Sequence, residues 1–175
     1  MTTGEREAGC ALCESDGGEP VWRNARARVV LVEHARFPGF CRVIWNDHVA
    51  EQTDLSEADR HWLMEVVTRV ERVLRAELAP DKINLASFGN FVPHLHWHVI
   101  PRYRWDTHFP EAVWAPAQRE PDAARMAEVT AKLPALSYLD HYCSYASNEV
   151  AINWNAPLVY VSAALQQLTP KPSAP

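Results

Sequence analysis

The chain has 175 residues, a length that favours a single domain. Apolar residues make up 47% and charged residues 22%, which is typical of a soluble globular chain. The formal net charge of −5 argues against a nucleic-acid duplex or an anionic membrane as main partner, because both require a positive surface. No apolar run reaches transmembrane length and the first ten residues lack a signal-peptide segment, so we expect a cytoplasmic protein.

The first element along the chain is a Cys-x-x-Cys motif formed by Cys10 and Cys13, within a segment (residues 10–20) that is predicted as a loop. In a reducing compartment such a pair indicates a metal or redox element rather than a disulfide framework. Cys41 and Cys143 are isolated in sequence and are predicted to be inert.

The next elements predict a sheet covered by a helix. Residues 54–80 read as the main helix, with Ser56 and Asp59 as a capping box and Pro80 at its end. Its predicted apolar stripe is Trp62, Val66, Val70, Val73 and Leu74. Strands are predicted at residues 27–33, 40–45, 82–87 and 95–103, the first two as a hairpin, and a second helix at 122–133. The predicted architecture is α+β, an antiparallel sheet with a long helix packed on it.

Three histidines alternate with apolar residues on the fourth predicted strand: His94, His96 and His98, with Leu95, Trp97 and Val99. Since strand side chains alternate between faces, the histidines should share one face and the apolar residues the other. Three histidines in register beside a Gly-Asn turn favour a functional site over an exposed polar strand. Two chemistries stay open at this point: metal ligation, or attack of an imidazole nitrogen on phosphorus.

The pattern of HLHWHVI resembles the signature of the histidine-triad (HIT) proteins. FPGFCRVIWNDHV resembles the family's "PGH–hydrophobic strand–P-K-R-H" segment, and INLASFGNFVPHLHWHVIPR its "N-x-G…G-Q-x-V-x-H-x-H-x-H…PR" run. The resemblance covers roughly residues 10–115 and is closest to a bacterial branch. It implies an α+β, HIT-like fold: an antiparallel sheet of about five strands, a long packed helix and a C-terminal helix. It places this domain, with its CxxC arm, at residues 1–136 and leaves 137–175 as a C-terminal extension of unknown role.

The resemblance also implies an activity. The chain is expected to cleave at the α-phosphorus of a nucleoside phosphoramidate or a dinucleoside polyphosphate, as a hydrolase or transferase, through a covalent nucleotidyl-histidine. By motif position His96 is the nucleophile, and His98 contacts the α-phosphate and helps to protonate the leaving group. Family catalysis requires no metal. The implied partner is a small purine nucleotide rather than a nucleic acid or a membrane, and the implied assembly is a homodimer.

Four further residues are expected to bind substrate. Asn90 stands where the family has Gln and is one methylene shorter, and the turn amides at Gly89 are expected to bind phosphate. Glu33 occupies the place of the ribose-binding Asp or Asn, although a solvated glutamate at a strand end explains it equally well. Asn84 is expected to line the pocket, although a polar residue in a half-buried strand is the alternative.

A metal site is implied as well. Some family members, and the related galactose-phosphate uridylyltransferases, bind a structural zinc through a set that Cys10, Cys13, His48 and His94 match in type and order. These four donors suit tetrahedral zinc, which would fix the N-terminus without being the catalyst. The alternative is an unmetallated flexible arm.

Two other functions compete with the leading one. A non-catalytic purine-nucleotide-binding module is the main alternative, and the complete triad argues against it. A metal-dependent enzyme built on all three histidines is the other. Of the remaining aromatic residues, Trp105, Phe109 and Trp114 are predicted as pocket walls. Arg102 could attract a polyphosphate tail, but a surface arginine is the favoured prediction. The histidines outside the pattern are predicted to have surface or capping roles, these being His34, His61, His108 and His141.

Overall fold

The computed structural model describes residues 6–34 and 36–133, so the predicted extension at 137–175, with His141 and Cys143, lies outside the described residues. The elements in chain order are α1 (Ala11–Glu14), β1 (Glu19–Arg23), β2 (Ala27–Leu31), β3 (Cys41–Trp45), a 3-10 turn (Gln52–Asp54), α2 (Glu57–Leu78), β4 (Lys82–Ala86), β5 (His96–Arg102) and α3 (Ala123–Thr130). The strands form one five-stranded sheet in the order β1-β2-β3-β5-β4, with every neighbouring pair antiparallel. The predicted α+β architecture with a five-stranded antiparallel sheet is therefore confirmed.

The segment at residues 10–20 departs from its prediction as a loop. It contains α1, and β1 begins at Glu19. A four-residue helix is too short to show a period, and the second residue of β1 is a proline, which an edge strand such as β1 tolerates. Gly17 and Gly18 precede β1. A Cβ at Gly18 would lie 2.5 Å from the Leu31 carbonyl oxygen, so the chain crosses there in contact with β2.

Helix α2 is shorter than the predicted 54–80, but its Ser56 cap and its end before Pro80 are as predicted. The Ser56 hydroxyl oxygen accepts a hydrogen bond from the Asp59 amide at 3.1 Å and donates to its carboxylate at 2.7 Å. Ala79, just before Pro80, adopts the left-handed conformation that ends the helix. The face that packs on the sheet consists of Leu63, Val66, Val67, Val70, Leu74 and Leu78. Trp62 and Val73, predicted in the stripe, are only half-buried and lie at its margins.

The two faces of the sheet are covered by different parts of the chain, as two consecutive residues of β5 show. Val99 belongs to the core cluster with α2, whereas Ile100 packs with Phe37 and Phe40 on the opposite face. The far end of this second face is covered by the N-terminal arm (residues 6–18), whose Leu12 packs with Val30 and Ile44. His96 and His98 lie between these two covered ends. Among the described residues, no helix has the length and apolar character that a membrane crossing requires.

A buried ion pair shapes the chain after β5. Arg102 is 1% exposed, and its Nε and Nη2 atoms lie 2.8 and 3.1 Å from the two carboxylate oxygens of Asp106. Arg102 Nη1 also donates to Asn84 Oδ1 at 2.6 Å. Burial alone raises the pKa of Asp106, but hydrogen bonds from Arg102 and from the His108 and Tyr103 amides outweigh it and the net pKa is lowered.

The prediction that Arg102 lies at the surface is therefore wrong. His108, predicted as a surface or capping residue, is also buried, at 4% exposure. Both are covered by the loop that follows β5, and strand alternation does not reveal which polar face a later loop will cover.

We expect Asp106→Asn to lower the free energy of unfolding by about 3–5 kcal/mol, because it leaves the buried Arg102 guanidinium without its counter-charge. Urea denaturation followed by circular dichroism measures this. Glu65→Gln is the matched control, since Glu65 is half-exposed in its pair with Arg69 and the change should stay within about 0.5 kcal/mol. Equal effects of the two substitutions would contradict a structural role for the buried pair.

Candidate functional site

The three histidines of the row are all buried, with exposures of 0% for His94, 7% for His96 and 6% for His98. Strand β5 begins only at His96, so His96 and His98 share a face as predicted, while His94 lies in the loop before the strand. His94 is directed at the N-terminal arm, where its Nδ1 lies 3.4 Å from Cys10 Sγ. The row therefore divides into one histidine beside the cysteines and two on the strand.

The geometry of His96 fixes its tautomer. Its Nδ1 lies 2.6 Å from the His94 carbonyl oxygen, and since a carbonyl only accepts, Nδ1 carries the proton. The lone pair is then on Nε2. Burial lowers the pKa of His96, the hydrogen bond to His94 raises it and the charge of Arg42 lowers it, with a net decrease. At neutral pH the ring is the uncharged form that can act as a nucleophile.

His98 stands beside His96 with a ring nitrogen that has no protein partner. The two ring centroids are 4.8 Å apart, nearly perpendicular, and His98 Nδ1 is buried without a hydrogen-bond partner in the described part of the chain. Burial, with smaller contributions from His96 and Arg42, lowers the pKa of His98 to about 3. His98 is therefore neutral before any ligand binds, and its nitrogen is available to one.

Aromatic side chains surround His98. Phe40, Trp114 and Phe88 lie with their ring centroids 5.5, 5.4 and 6.2 Å from that of His98. Phe88 and Trp114 contact each other at 4.8 Å and are 51% and 55% exposed, so they form the outer wall of the site.

Of the three predicted aromatic walls, only Trp114 is beside the histidines. Trp105 instead stacks on Tyr103 at 4.7 Å and packs against the core on the α2 side of the sheet. Phe109 lies near the buried ion pair, its ring centroid 5.9 Å from Arg102 Cζ. The prediction is therefore wrong for Trp105, because proximity in sequence to β5 does not fix the direction of the loop, whereas for Phe109 it stays a prediction.

The four predicted substrate-binding residues differ in their surroundings. Asn90 is exposed in the loop between β4 and β5, and Glu33 is exposed two residues beyond the end of β2. Gly89 is half-buried, and a Cβ there would make only ordinary contacts, at 3.7 Å from Pro93 Cα. Asn84 is on the same face of the sheet as the histidines. Its Oδ1 accepts a hydrogen bond from Arg102, and this contact is sufficient to explain why an asparagine occurs at that position.

Sequence reasoning missed Arg42 and Phe88. Arg42 lies on β3 directly opposite His98 and faces the same side of the sheet. The alternation of β3 contained this signal, since Arg42 and Ile44 fall on one face and Cys41, Val43 and Trp45 on the other. Phe88 had no such signal because it lies in a loop.

The second cluster of the site consists of Cys10, Cys13, His48 and His94, whose donor atoms all lie within 4.8 Å of one another. Cys13 Sγ lies 3.5 Å from the Nδ1 atoms of both histidines. In a tetrahedral zinc site the sulfur and nitrogen ligands would be roughly 3.5 Å apart, given their usual bond lengths. The donor set and its spacing therefore suit a metal ion, and this cluster could bind one.

Hydrogen bonds from neighbouring residues orient the donor atoms of the cluster. His94 Nε2 donates to the Trp45 carbonyl oxygen at 2.7 Å, which leaves the lone pair on Nδ1 towards the thiols. Arg28, 4% exposed, donates from β2 to the carbonyl oxygens of Leu12, Ser15 and Asp16 and so fixes the arm. By contrast Cys41 lies in the hydrophobic core on the α2 side of the sheet, where burial raises the pKa of its thiol to about 12.

Comparison with known proteins agrees with this geometry. The family model "HIT domain" matches residues 19–105. The fold is similar to histidine triad proteins from Bradyrhizobium japonicum and Sinorhizobium meliloti, each at 27% identity and a TM-score of 0.56. The alignments cover 70% of this chain and 90% of the first relative, and 73% of this chain and 98% of the second.

The chain belongs to the histidine-triad (HIT) family. A histidine triad protein from Marinobacter aquaeolei shares the fold, at 23% identity and a TM-score of 0.58 over 78% of this chain and 98% of that one. Membership in the HIT family supports a nucleotide-binding or hydrolase-type function in general terms.

One curated enzyme shows a short match. A stretch of 35 residues, 20% of this chain, is 60% identical to part of the xyloglucan-specific endo-beta-1,4-glucanase BoGH9A of Bacteroides ovatus. The chain spans only 6% of that enzyme's length, so the match does not transfer its activity.

We expect the HIT domain to lose stability as the pH falls from about 7 to about 5, in part because of His98. The folded pKa of His98 is about 3 and the ordinary value is 6.5, so in this range the unfolded chain binds a proton there that the folded chain does not. His98→Asn should therefore reduce the loss, measured as urea-unfolding free energies at the two pH values. His61→Asn is the control, since His61 is exposed. A pH dependence identical in wild type and His98→Asn would show that His98 does not contribute.

Proposed function

We propose that this HIT protein is a nucleotide hydrolase or transferase that cleaves at the α-phosphorus of a nucleoside phosphoramidate or a dinucleoside polyphosphate. The observation that carries the proposal is the hydrogen bond from His96 Nδ1 to the His94 carbonyl oxygen. It leaves a free lone pair on Nε2 of the neutral His96 ring, on the same face of the sheet as His98. Family membership supports the same type of chemistry.

The proposed reaction has two displacement steps. In the first, His96 Nε2 forms a bond to the α-phosphorus while the bond from phosphorus to the leaving nitrogen or oxygen breaks. The negative phosphate favours the protonated form of His98, which then gives its proton to the leaving group. In the second, the oxygen of water bonds to phosphorus and the His96–phosphorus bond breaks. The products are a nucleoside monophosphate and the regenerated imidazole, and His98 takes up the proton of the water.

The four predicted substrate-binding residues have different roles in the proposal. Asn90 and the amides around Gly89 are placed on the loop that leads into the triad and would donate to phosphate oxygens. The exposed Glu33 carboxylate would accept from the ribose hydroxyls. Asn84 would act on the pocket through Arg102, to which it is bonded.

One observation favours the alternative of a purine-nucleotide-binding module without catalysis. With a pKa of about 3, His98 carries no proton to donate at neutral pH unless the bound ligand raises that pKa substantially. The two functions share the binding site and differ in turnover.

We expect His96→Ala to reduce nucleoside monophosphate release by roughly 10³-fold or more, because it removes the attacking nitrogen. Adenosine 5′-phosphoramidate and diadenosine tetraphosphate are suitable test substrates, with product followed by chromatography and the covalent intermediate by mass spectrometry. His61→Ala is the control for a histidine outside the site. Wild-type turnover in His96→Ala excludes the covalent mechanism, and AMP binding without turnover in the wild type supports the binding module.

The proposal includes a structural zinc held by Cys10, Cys13, His48 and His94. When bound, the metal would supply a closed tetrahedral cross-link between the arm and the sheet, without a role in bond cleavage. Two residues of the sheet orient the donors: Arg28 on β2 holds the arm through its main chain, and the Trp45 carbonyl on β3 holds His94.

We expect elemental analysis to find about one zinc per chain. Cys13→Ser should lose this metal and unfold at lower temperature, because only one thiolate ligand, that of Cys10, then remains. Cys41→Ser is the matched control, since Cys41 is buried in the core on the α2 side of the sheet rather than with Cys10 and Cys13, and this variant should retain the metal. Metal-free protein after supplementation with zinc, or the same metal content in both variants, would contradict the zinc site.

The remaining parts of the proposal follow from composition and family resemblance. They are a cytoplasmic location, a small purine nucleotide as partner in place of nucleic acid, a homodimeric assembly and a domain that ends near residue 136. The net charge of −5 supports the absence of a nucleic-acid partner.

A further inference from the structure

Arg42 lies inside the site and has hydrogen-bonding capacity that the described residues do not use. It is half-buried on β3, opposite His98, with its guanidinium carbon 5.9 Å from the centroid of Phe40. Its Nη1 donates to the Gly17 carbonyl oxygen at 3.1 Å. Its Nε is buried and has no hydrogen-bond partner within residues 6–34 and 36–133.

The charge of Arg42 is also uncompensated in the described structure. None of the ion pairs formed by the described residues includes Arg42. Burial lowers the pKa of Arg42, but a guanidinium remains protonated at neutral pH. A partly buried cation without a counter-charge costs free energy, part of which is regained when an anion binds. Arg28, one strand away, also has no ion pair among the described residues, but each of its nitrogens donates a hydrogen bond, whereas Nε of Arg42 does not.

Arg42 faces the same side of the sheet as the two strand histidines and is paired directly with His98 across the strands. Its guanidinium would supply a favourable charge to a phosphate bound between the histidines. The unpartnered nitrogens of Arg42 and His98 belong to directly opposed residues of neighbouring strands, so one ligand can reach both.

We propose that Arg42 binds a phosphate oxygen of the ligand through its Nε–H and selects nucleotides over uncharged nucleosides. This inference rests on the proposed nucleotide site and deepens it, since it defines the ligand as an anionic phosphate compound. The competing explanation is that Arg42 only holds the Gly17 carbonyl and the arm in place.

The test measures the affinities of AMP and adenosine for zinc-loaded wild type, Arg42→Gln and Arg42→Lys by calorimetry or by competition with a fluorescent AMP analogue. Arg42→Gln should weaken AMP by roughly 10- to 100-fold, as expected for loss of a charge-assisted hydrogen bond, and change adenosine less than about twofold. Arg42→Lys keeps the charge and should recover part of the AMP affinity. Arg104→Gln is the matched control, because it removes the same charge from an exposed arginine.

A second measurement distinguishes an electrostatic role of Arg42 in binding from a purely structural one. AMP binding by the wild type should weaken with added NaCl, and Arg42→Gln should show a smaller dependence, whereas Arg104→Gln should behave as the wild type. Equal weakening of AMP and adenosine in Arg42→Gln would mean that the residue only supports the fold, and overturns the inference. Unchanged AMP affinity in Arg42→Gln, with wild-type turnover of nucleotide substrates, overturns the inference and leaves the proposed function intact. A wild type that binds neither AMP nor adenosine overturns both.

Discussion

His94 connects the two halves of this site through its side chain and its main chain. Its Nε2 donates to the Trp45 carbonyl, so Nδ1 points at Cys10 and Cys13. Its own carbonyl oxygen accepts the Nδ1 proton of His96 and thereby determines which nitrogen of His96 carries the lone pair. One residue therefore sets the geometry of the cysteine cluster and the tautomer of the neighbouring imidazole. Displacement of His94 would disturb both at once.

The chemistry of the site depends on how the second face of the sheet is covered. The arm lies over Val30 and Ile44 at one end, and Phe37 and Phe40 lie over Ile100 at the other. Histidines between these covers are removed from water, which favours their neutral forms and lowers their pKa values. The same burial leaves Arg42 and Arg102 as cations in a poorly solvated environment. Arg102 is neutralised by Asp106 within the fold, whereas Arg42 is not neutralised by any carboxylate of the described residues.

Much of the fold was predictable because its signals are local. The caps and apolar face of α2, the hairpin of β2 and β3, and the alternation along β5 each follow from spacing within a few residues. The family resemblance brought together Cys10 and His94, which are 84 positions apart, a distance that no periodicity spans. The short β1, the buried Arg102 and the position of Phe88 depend on which segments finally cover which face. Those contacts are long-range, and the pattern of a single strand does not contain them.

The two glycines before β1 restrict how this sequence can vary. At Gly17 the backbone φ is +80°, and a Cβ would lie 2.6 Å from Leu12 and 3.0 Å from Ile44. At Gly18 a Cβ would collide with the Leu31 main chain. A side chain at Gly18 would push the cysteine arm away from the sheet and withdraw the Gly17 carbonyl that Arg42 holds, and a side chain at Gly17 would strain the backbone at its positive φ. During evolution this dipeptide should therefore persist in every descendant that retains the cysteine pair, and it should become free to drift in lineages that have lost the arm.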